Sequence, residues 1–569
     1  MRRFKPNPVT EYILETDPVY KEYLPELSKD IENREFVFDK TNHFPTPIKR
    51  ALLRNAFREK TFRDRNLYLL RTSRKLDSFL PEAIRKQLML DEDGISELSE
   101  KQAAFCENIL SRELRKLSVF SENSSEVSET EVLKISRNIS EYSAWLQAYT
   151  LMSELCQKFV LVAPEVSETI ESVQGAIRRM TTKSWWLRKL RKVIRQAFEK
   201  GALELNLVNK FQQIYASDYT VNNRLAQKRK NENMLSCLHV VNDAGQKYSL
   251  KELSDLNVSN PSVRKAELMV RMRGFENYSL EHGHKGLFIT MTCPSKYHSA
   301  YAKSGQRNPN YQGLTPYQGN QYLGQNWQRI RAEFARRDIS VYGFRIAEPQ
   351  HDGTPHWHML LFTEEKHLKA IEEIVTHYSL MEDGNEKGAK ENRCDFKLID
   401  PKKGSATGYI AKYISKNIDG EHLDSGVYGE EPKTASQRVE AWASCWCIRQ
   451  FQQIGGASVT VWREMRRLRN SMVEDGLLET IRQAADNSKW SDYLTAMGGV
   501  LAKRKDHPVK PAYEVKIDKA TGECKASYFD GVLVKALKGI RFEGKLIVTR
   551  FFDWRIERSL DRSNLEYCK

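Results

Sequence analysis

The chain has 569 residues, 40% hydrophobic and 10% aromatic, with 90 Lys and Arg against 75 Asp and Glu, a net charge of +15. That balance excludes wholesale disorder, leaves room for several folded domains, and points to a polyanionic partner, nucleic acid before membrane. No apolar run approaches the roughly 18 residues of a spanning helix, and the charged start, residues 1–6, has no apolar segment behind it, so no membrane partner and no secretory leader are expected and the chain is read as residing in the cytoplasm.

In chain order, residues 1–117 show helical periodicity and form a mostly helical N-terminal region of no assignable role, and residues 118–131 are Ser/Glu-rich and read as a linker. Residues 132–280 form a second helical, basic region with a DNA-binding surface as one reading. Its sharpest segment, 183–200, sets Trp186, Leu190, Val193 and Ala197 against Arg188, Arg191, Lys192 and Arg195 on the far side. A solvated helix face and a DNA-backbone contact explain that pattern equally well.

From Gly286 the pattern alternates: strand 287–292, helix 321–337, strands 339–347 and 356–362, helix 364–378, strand 394–399, helix 406–418. This β-α-β-β-α-β order predicts an α+β fold whose central antiparallel sheet is of the split βαβ, ferredoxin-like type, spanning 281–433. Residues 304–319, rich in Gly, Asn, Gln, Pro and Tyr, read as a substrate-binding excursion or as disorder. A Trp/Arg-rich helical extension follows over 434–502, and then a C-terminal region, 503–569, with a charged linker over 503–511 and strand-like runs at 531–536 and 546–552. Nine scattered cysteines fit reduced thiols, and Cys445 and Cys447 lack a second pair at zinc-site spacing.

Two clusters carry chemistry. His356-Trp357-His358 lies in a strand pattern, so both imidazoles share one side and form an edge of a metal site. The Asp352-Gly353 turn folds Glu348 back toward them as a third ligand, with His351 and Asp352 as competitors. On helix 406–418, Tyr409 and Tyr413 stand at i and i+4 with Lys412 and Lys416 flanking them. A phenol becomes a nucleophile only beside positive charge, which a metal-activated phosphate and the lysines would supply. Together these features suggest phosphodiester transesterification, in which a tyrosine oxygen attacks phosphorus and keeps the DNA attached for rejoining. Arg449, Arg463, Arg466 and Arg467, with Tyr301, Tyr311, Tyr317, Trp442 and Trp446 interleaved in sequence, suit single-stranded DNA, although the two tryptophans equally fit an i, i+4 core pair. Gly539 to Lys545 fits G-x-x-x-x-G-K, but Leu546 stands where a metal-binding hydroxyl belongs, so a turn between strands is expected there.

The run Phe288-Ile289-Thr290-Met291-Thr292 with Pro294-Ser295, then Glu348-Pro349 and Asp352-Gly353-Thr354-Pro355-His356-Trp357-His358, then Tyr409-Ile410-Ala411-Lys412-Tyr413, resembles the bacteriophage replication gene A proteins, HUH endonucleases that initiate rolling-circle replication. The resemblance extends through Asn260-Pro261, Glu267-Leu268-Met269 and Arg271 upstream, and Ile448-Arg449-Gln450-Phe451 and Val461-Trp462-Arg463-Glu464 downstream, over roughly residues 180–500. It implies Mg²⁺ or Mn²⁺ at His356 and His358, with Glu348 the looser third ligand, and Tyr409 and Tyr413 as nucleophiles. It further implies single-stranded origin DNA as substrate, with a host helicase and a host DNA polymerase as partners. Residues 1–130 and 503–569 carry no resemblance. A mobilisation relaxase or transposase using the same chemistry, and a non-catalytic origin-binding protein, are the alternatives.

Overall fold

The computed structural model describes residues 7–558 apart from 28–30, 86–90, 123–130, 421–428, 470–475, 518–520 and 530, and the side chains of 117–139 and of Arg558 are likewise outside the description. The chain divides into two compact units, residues 1–205 with 515–535, and 206–514 with 536–569.

The first unit is built from helices, as the periodicity of residues 1–117 requires. Its longest members are Glu92–Glu122, Glu131–Lys158 and Lys183–Glu204. The expected linker at 118–131 lies mainly outside the described residues, and what is described of it, Ser118 to Glu122 and Glu131, is helical. On Lys183–Glu204 the buried stripe runs through Trp186, Leu190, Ile194 and Ala197, one position round from Val193. Arg191 and Arg195 of its basic face both pair with Glu92. The unit ends at Leu205, within the span 132–280 that periodicity treats as continuous, because helix resumes at Asp218 and the break between carries no compositional mark.

In the second unit the central elements are numbered here in chain order. Helix α1 (Pro261–Glu281) starts with Asn260 capping and Pro261 in the first turn. Strand β1 (Lys285–Thr292) follows, then α2 (Pro316–Arg336), β2 (Tyr342–Pro349), β3 (Pro355–Thr363), α3 (Leu368–Leu380), β4 (Cys394–Leu398), α4 (Ala406–Ile418), α5 (Pro432–Trp446), β5 (Phe451–Ile454) and α6 (Val459–Met465). The five strands form one sheet in the order β4-β1-β3-β2-β5, every pairing antiparallel. Strand alternation gives the sheet two faces. Phe288, Phe344, Ile346, Leu360 and Phe362 pack under α1 and α4 with Met272, Phe275, Ile410 and Ile414, while Trp357 on the opposite face donates to Asn320 of α2 at 3.0 Å. Glycine is required at 343, at φ +147°, where a Cβ would stand 2.0 Å from the Leu360 carbonyl.

Helix α2 begins at Pro316, ahead of the expected 321, because Thr315 and Gln318 close a capping box. Helix α3 begins after the 3₁₀ turn Glu365–His367. Residues 304–319 are tied down: Asn308, buried, donates to the carbonyls of Ser295 and His298, both at 2.9 Å, which argues against disorder. Strand β5 had no sequence signal of its own.

Among the described residues there are two smaller antiparallel sheets. One joins Leu238–Asn242, Lys247–Ser249 and Trp554–Arg558, and the other joins Val509–Val515, Lys535–Phe542 and Lys545–Val548. The linker expected at 503–511 therefore runs into a strand, and the strand-like runs at 531–536 and 546–552 are displaced. The register is set by Glu543 and Gly544, both at positive φ (46° and 80°), a two-residue hairpin turn of the I′ kind. Gly539 to Lys545 is thus hairpin, with no helix to receive a phosphate. Among the described residues no helix is long and apolar enough to cross a membrane.

Candidate functional site

The register builds the site. Glu348 of β2 faces His356 of β3 as a cross-strand partner, and Thr290 of β1 faces His358. Residues 356 and 358 share a side, so two imidazoles and one carboxylate converge with their donor atoms within 4.8 Å of one another. Thr290 Oγ1 lies 3.0 Å from His358 Nδ1 and fixes that ring, leaving Nε2 toward Glu348 Oε2 at 3.9 Å. Burial pushes the His356 imidazole well below its ordinary pKa, with His358 adding to the effect. Burial, then Lys416 and Lys412, pushes His358 down to about 3. Both rings are therefore neutral near pH 7, the form in which imidazole donates a lone pair.

Of the three candidates for the third ligand, the structure brings Glu348 to the histidines. Asp352 faces away and pairs with His298 Nδ1 at 3.2 Å while accepting from the Thr354 N–H at 3.1 Å. Burial alone would raise the Asp352 carboxyl, but His298 and the turn outweigh it and hold it low. His351 is buried in the same turn, outside the Glu348, His356 and His358 group.

Helix α4 lies across this face. The Ser405 side chain caps it, and the Glu276 carboxylate of α1 accepts from the N–H groups of Ala406 at 2.6 Å and Thr407 at 3.3 Å. The Tyr409 and Tyr413 ring centroids stand 6.2 Å apart, and Tyr413 lies 4.4 Å from His358. Lys412 Nζ sits 5.1 and 5.6 Å from the two phenol rings, and Lys397 of β4 sits 4.5 Å from Tyr409. Burial, then the Tyr409 phenol, pushes the Tyr413 hydroxyl up, so the phenol is protonated near pH 7.

Lys416 departs from expectation. It does not flank the phenols but turns inward to Glu348 Oε2 at 3.1 Å, because a buried ammonium needs a carboxylate. Asn417 donates to Glu348 Oε1 and, at 2.6 Å, to the Tyr413 carbonyl, and Gln450 donates to Asn417 Oδ1 at 3.2 Å. The sequence gives no sign of Lys397 and assigns no role to Asn417, Gln450 or Thr290, although Gln450 and Thr290 stand in the runs that carry the resemblance. Asn417 was in principle legible, four residues beyond Tyr413.

The four arginines proposed for DNA are not equivalent. Arg449 is exposed, with Nε donating to the Phe451 carbonyl at 3.1 Å, and Arg466 is half-buried. Arg463 pairs with Glu267 at 2.7 Å, a carboxylate it shares with Arg271, and Arg467 lies 3.5 Å from Glu464, which Arg550 holds more closely at 2.7 Å. Trp442 and Trp446 are core residues, fully buried, and Trp442 donates to the Gly353 carbonyl at 2.7 Å, which holds the β2–β3 turn. Tyr301 and Tyr317 are exposed, and Tyr311 is half-buried.

The family model of the bacteriophage replication gene A protein (GPA) matches residues 110–421, over half of the chain. The chain belongs to this family. The gene A protein match begins upstream of the 180–500 span on which the resemblance was read and contains Glu348, both histidines and both tyrosines. The chain is similar to the Replication gene A protein of Escherichia phage 186, 40% identical over 404 residues (69% of this chain, 57% of that protein). It is likewise similar to the Probable replication protein P12 of Pseudoalteromonas phage PM2, 42% identical over 350 residues (60% and 54%). A third relative, the Probable replication endonuclease from prophage-like region of Escherichia coli O6:H1, is 32% identical over 406 residues (68% and 50%). This gene A family chain spans about half the length of the curated relatives it matches. No solved structure matches it.

Proposed function

We propose that this chain is a metal-dependent, site-specific single-strand DNA endonuclease and rejoining enzyme that starts rolling-circle replication of phage or prophage DNA. The observation that carries the reading is the convergence of Glu348, His356 and His358 beside the paired phenols of Tyr409 and Tyr413. The strand order β4-β1-β3-β2, with α2 and α3 as the crossover helices, agrees with a split βαβ sheet of the HUH kind. The relative whose name includes "replication endonuclease" supports a nuclease assignment.

The donor set fits a divalent cation such as Mg²⁺ or Mn²⁺: two neutral imidazoles, one carboxylate, and a buried His356 Nδ1 with no hydrogen-bond partner among the described residues. When bound, such an ion polarises a phosphate oxygen and offsets the charge of the crowded transition state. The chain supplies the rest. One phenol oxygen attacks phosphorus, the bond to the 3′-oxygen breaks, and that oxygen takes up a proton. The DNA 5′-phosphate stays on tyrosine, and attack by a 3′-hydroxyl reverses the step and reseals the strand. Lys412 and Lys397 favour the phenolate by charge. The freed 3′-hydroxyl primes a host DNA polymerase, and a host helicase unwinds ahead of it.

The test is incubation with a labelled single-stranded origin oligonucleotide and Mn²⁺, followed by denaturing electrophoresis. A protein–DNA adduct is expected, lost in His356→Ala, His358→Ala or EDTA while DNA binding persists. Tyr409→Phe and Tyr413→Phe each retain some cleavage but fail over repeated rounds, and the double variant forms no adduct. Nicking undiminished in EDTA, or an adduct in the double variant, refutes the mechanism.

A further inference from the structure

Lys416, which grips Glu348, has a second neighbour that nothing in the sequence connects with the site. Its Nζ stands 5.2 Å from the ring centroid of Tyr215, a fully buried residue at φ +69°. A bulky aromatic residue in the left-handed region is a steric outlier, and such backbone persists only where its surroundings over-determine it. Here they do. The Tyr215 N–H donates to the His351 carbonyl at 3.2 Å, and its hydroxyl donates to Glu430 Oε1 at 2.6 Å. Arg438 of α5 donates to the carbonyls on either side, Ile214 at 2.7 Å and Ala216, and to Asp218 at 2.7 Å. The Tyr215 carbonyl presses on the β2–β3 turn so closely that a Cβ on Gly353 would stand 3.0 Å from it.

Packing alone does not account for this arrangement. Tyr215 belongs to a small apolar cluster with Ile214, Ala435 and Val439, apart from the core beneath the sheet. What its ring adds is a π face beside an ammonium that has left water and has, among the described residues, one carboxylate partner. The line runs from Arg438 through Tyr215 and Lys416 to Glu348.

We propose that Tyr215 is a positioning residue for the candidate metal centre: its ring fixes the Lys416 ammonium, and through it the orientation of the Glu348 carboxylate toward His356 and His358. The inference rests on the metal-dependent reading above. Groups one shell beyond the ligands orient them, and their loss typically weakens metal binding 10–100-fold.

The experiment titrates the full chain with Mn²⁺ alone, reading free Mn²⁺ by electron paramagnetic resonance, with a thermal melt of each variant. Tyr215→Phe keeps the ring and loses only the bond to Glu430, so Mn²⁺ affinity within about threefold of wild type is expected. Tyr215→Leu and Tyr215→Met remove the ring, the second with a flexible chain that can fill the space, and each is expected to weaken Mn²⁺ binding about 10–100-fold. Single-strand DNA affinity should be unchanged, and nicking should recover as Mn²⁺ is raised. If either ring-less variant melts cooperatively and binds Mn²⁺ like wild type, the proposal is overturned. Wild-type protein that binds no Mn²⁺ is a different result, which removes the metal reading itself and this inference with it.

Discussion

His298 and Asp352 form a buried ion pair at the turn that delivers His356, and their ionisation makes a testable claim. Burial lowers the imidazole pKa, but Asp352 more than restores it and His298 ends above its ordinary value. A raised histidine stabilises the fold fully below its unfolded pKa of about 6.5 and loses that contribution as pH rises through the folded value. The lowered Asp352 carboxyl contributes above about pH 4 and loses its share as pH falls through its folded value. The pair is therefore strongest between about pH 4 and 6.5. Asp352→Asn should cost about 3 kcal/mol there, and melting curves should show the gap to wild type widest near pH 5–6 and narrower at pH 9. A gap that does not vary with pH would mean the pair is uncharged. Residues of this kind were hidden in the sequence for a plain reason. The histidine pair announces itself by spacing within one strand, whereas His298 and Asp352, or Tyr215 and Lys416, meet only after the chain has folded, and neither composition nor periodicity encodes which distant partners meet.

The same contrast holds for secondary-structure elements. Helix 406–418 was legible to the residue because Ser405 caps it and its apolar residues recur at helical spacing, and the strand with the histidines was legible through alternation. Strand β5 was not, since its residues Phe451 to Ile454 owe their extended form to pairing with β2 rather than to their own pattern. Nor was the anchor of the tyrosine helix. Glu276 satisfies two N–H groups at the start of α4 and accepts from the Thr407 hydroxyl at 2.6 Å, while Arg273 donates to the same carboxylate oxygen at 3.2 Å. Glu276→Ala should leave those donors buried and unpaired, at a cost of about 1–3 kcal/mol. Thermal melts should record that loss, and the nicking rate should fall while DNA affinity stays near wild type, since the phenols ride on this helix. A variant that melts early but nicks at the full rate would separate the cap from the chemistry.

For the whole molecule, the +15 net charge predicts DNA affinity that falls steeply with salt. The logarithmic slope for single strands changes by about 0.7 per phosphate contact, so Arg449→Gln should reduce it by about that amount. Arg463→Gln should change it less, because two hydrogen bonds to Glu267 already hold that guanidinium. Equal slopes for the two variants would show that the ion pair opens on DNA. The hairpin at Gly539 to Lys545 bears on energy supply. It offers no phosphate cradle, so nicking should proceed without ATP, and purified protein that unwinds a long duplex with ATP would contradict this.

The antiparallel register of β2 and β3 also limits how this gene can change. Glu348, His356 and His358 share one side only because the turn between Pro349 and Pro355 keeps its present count. Deleting one turn residue and sliding β3 by one step would send both imidazoles to the side covered by α2 and bring Trp357 to the tyrosines, while the sheet itself could still pair. Loss of a codon there would thus erase the donors together and leave a folded remnant. Lineages that vary this turn should do so in steps of two residues, or else give up the histidines altogether.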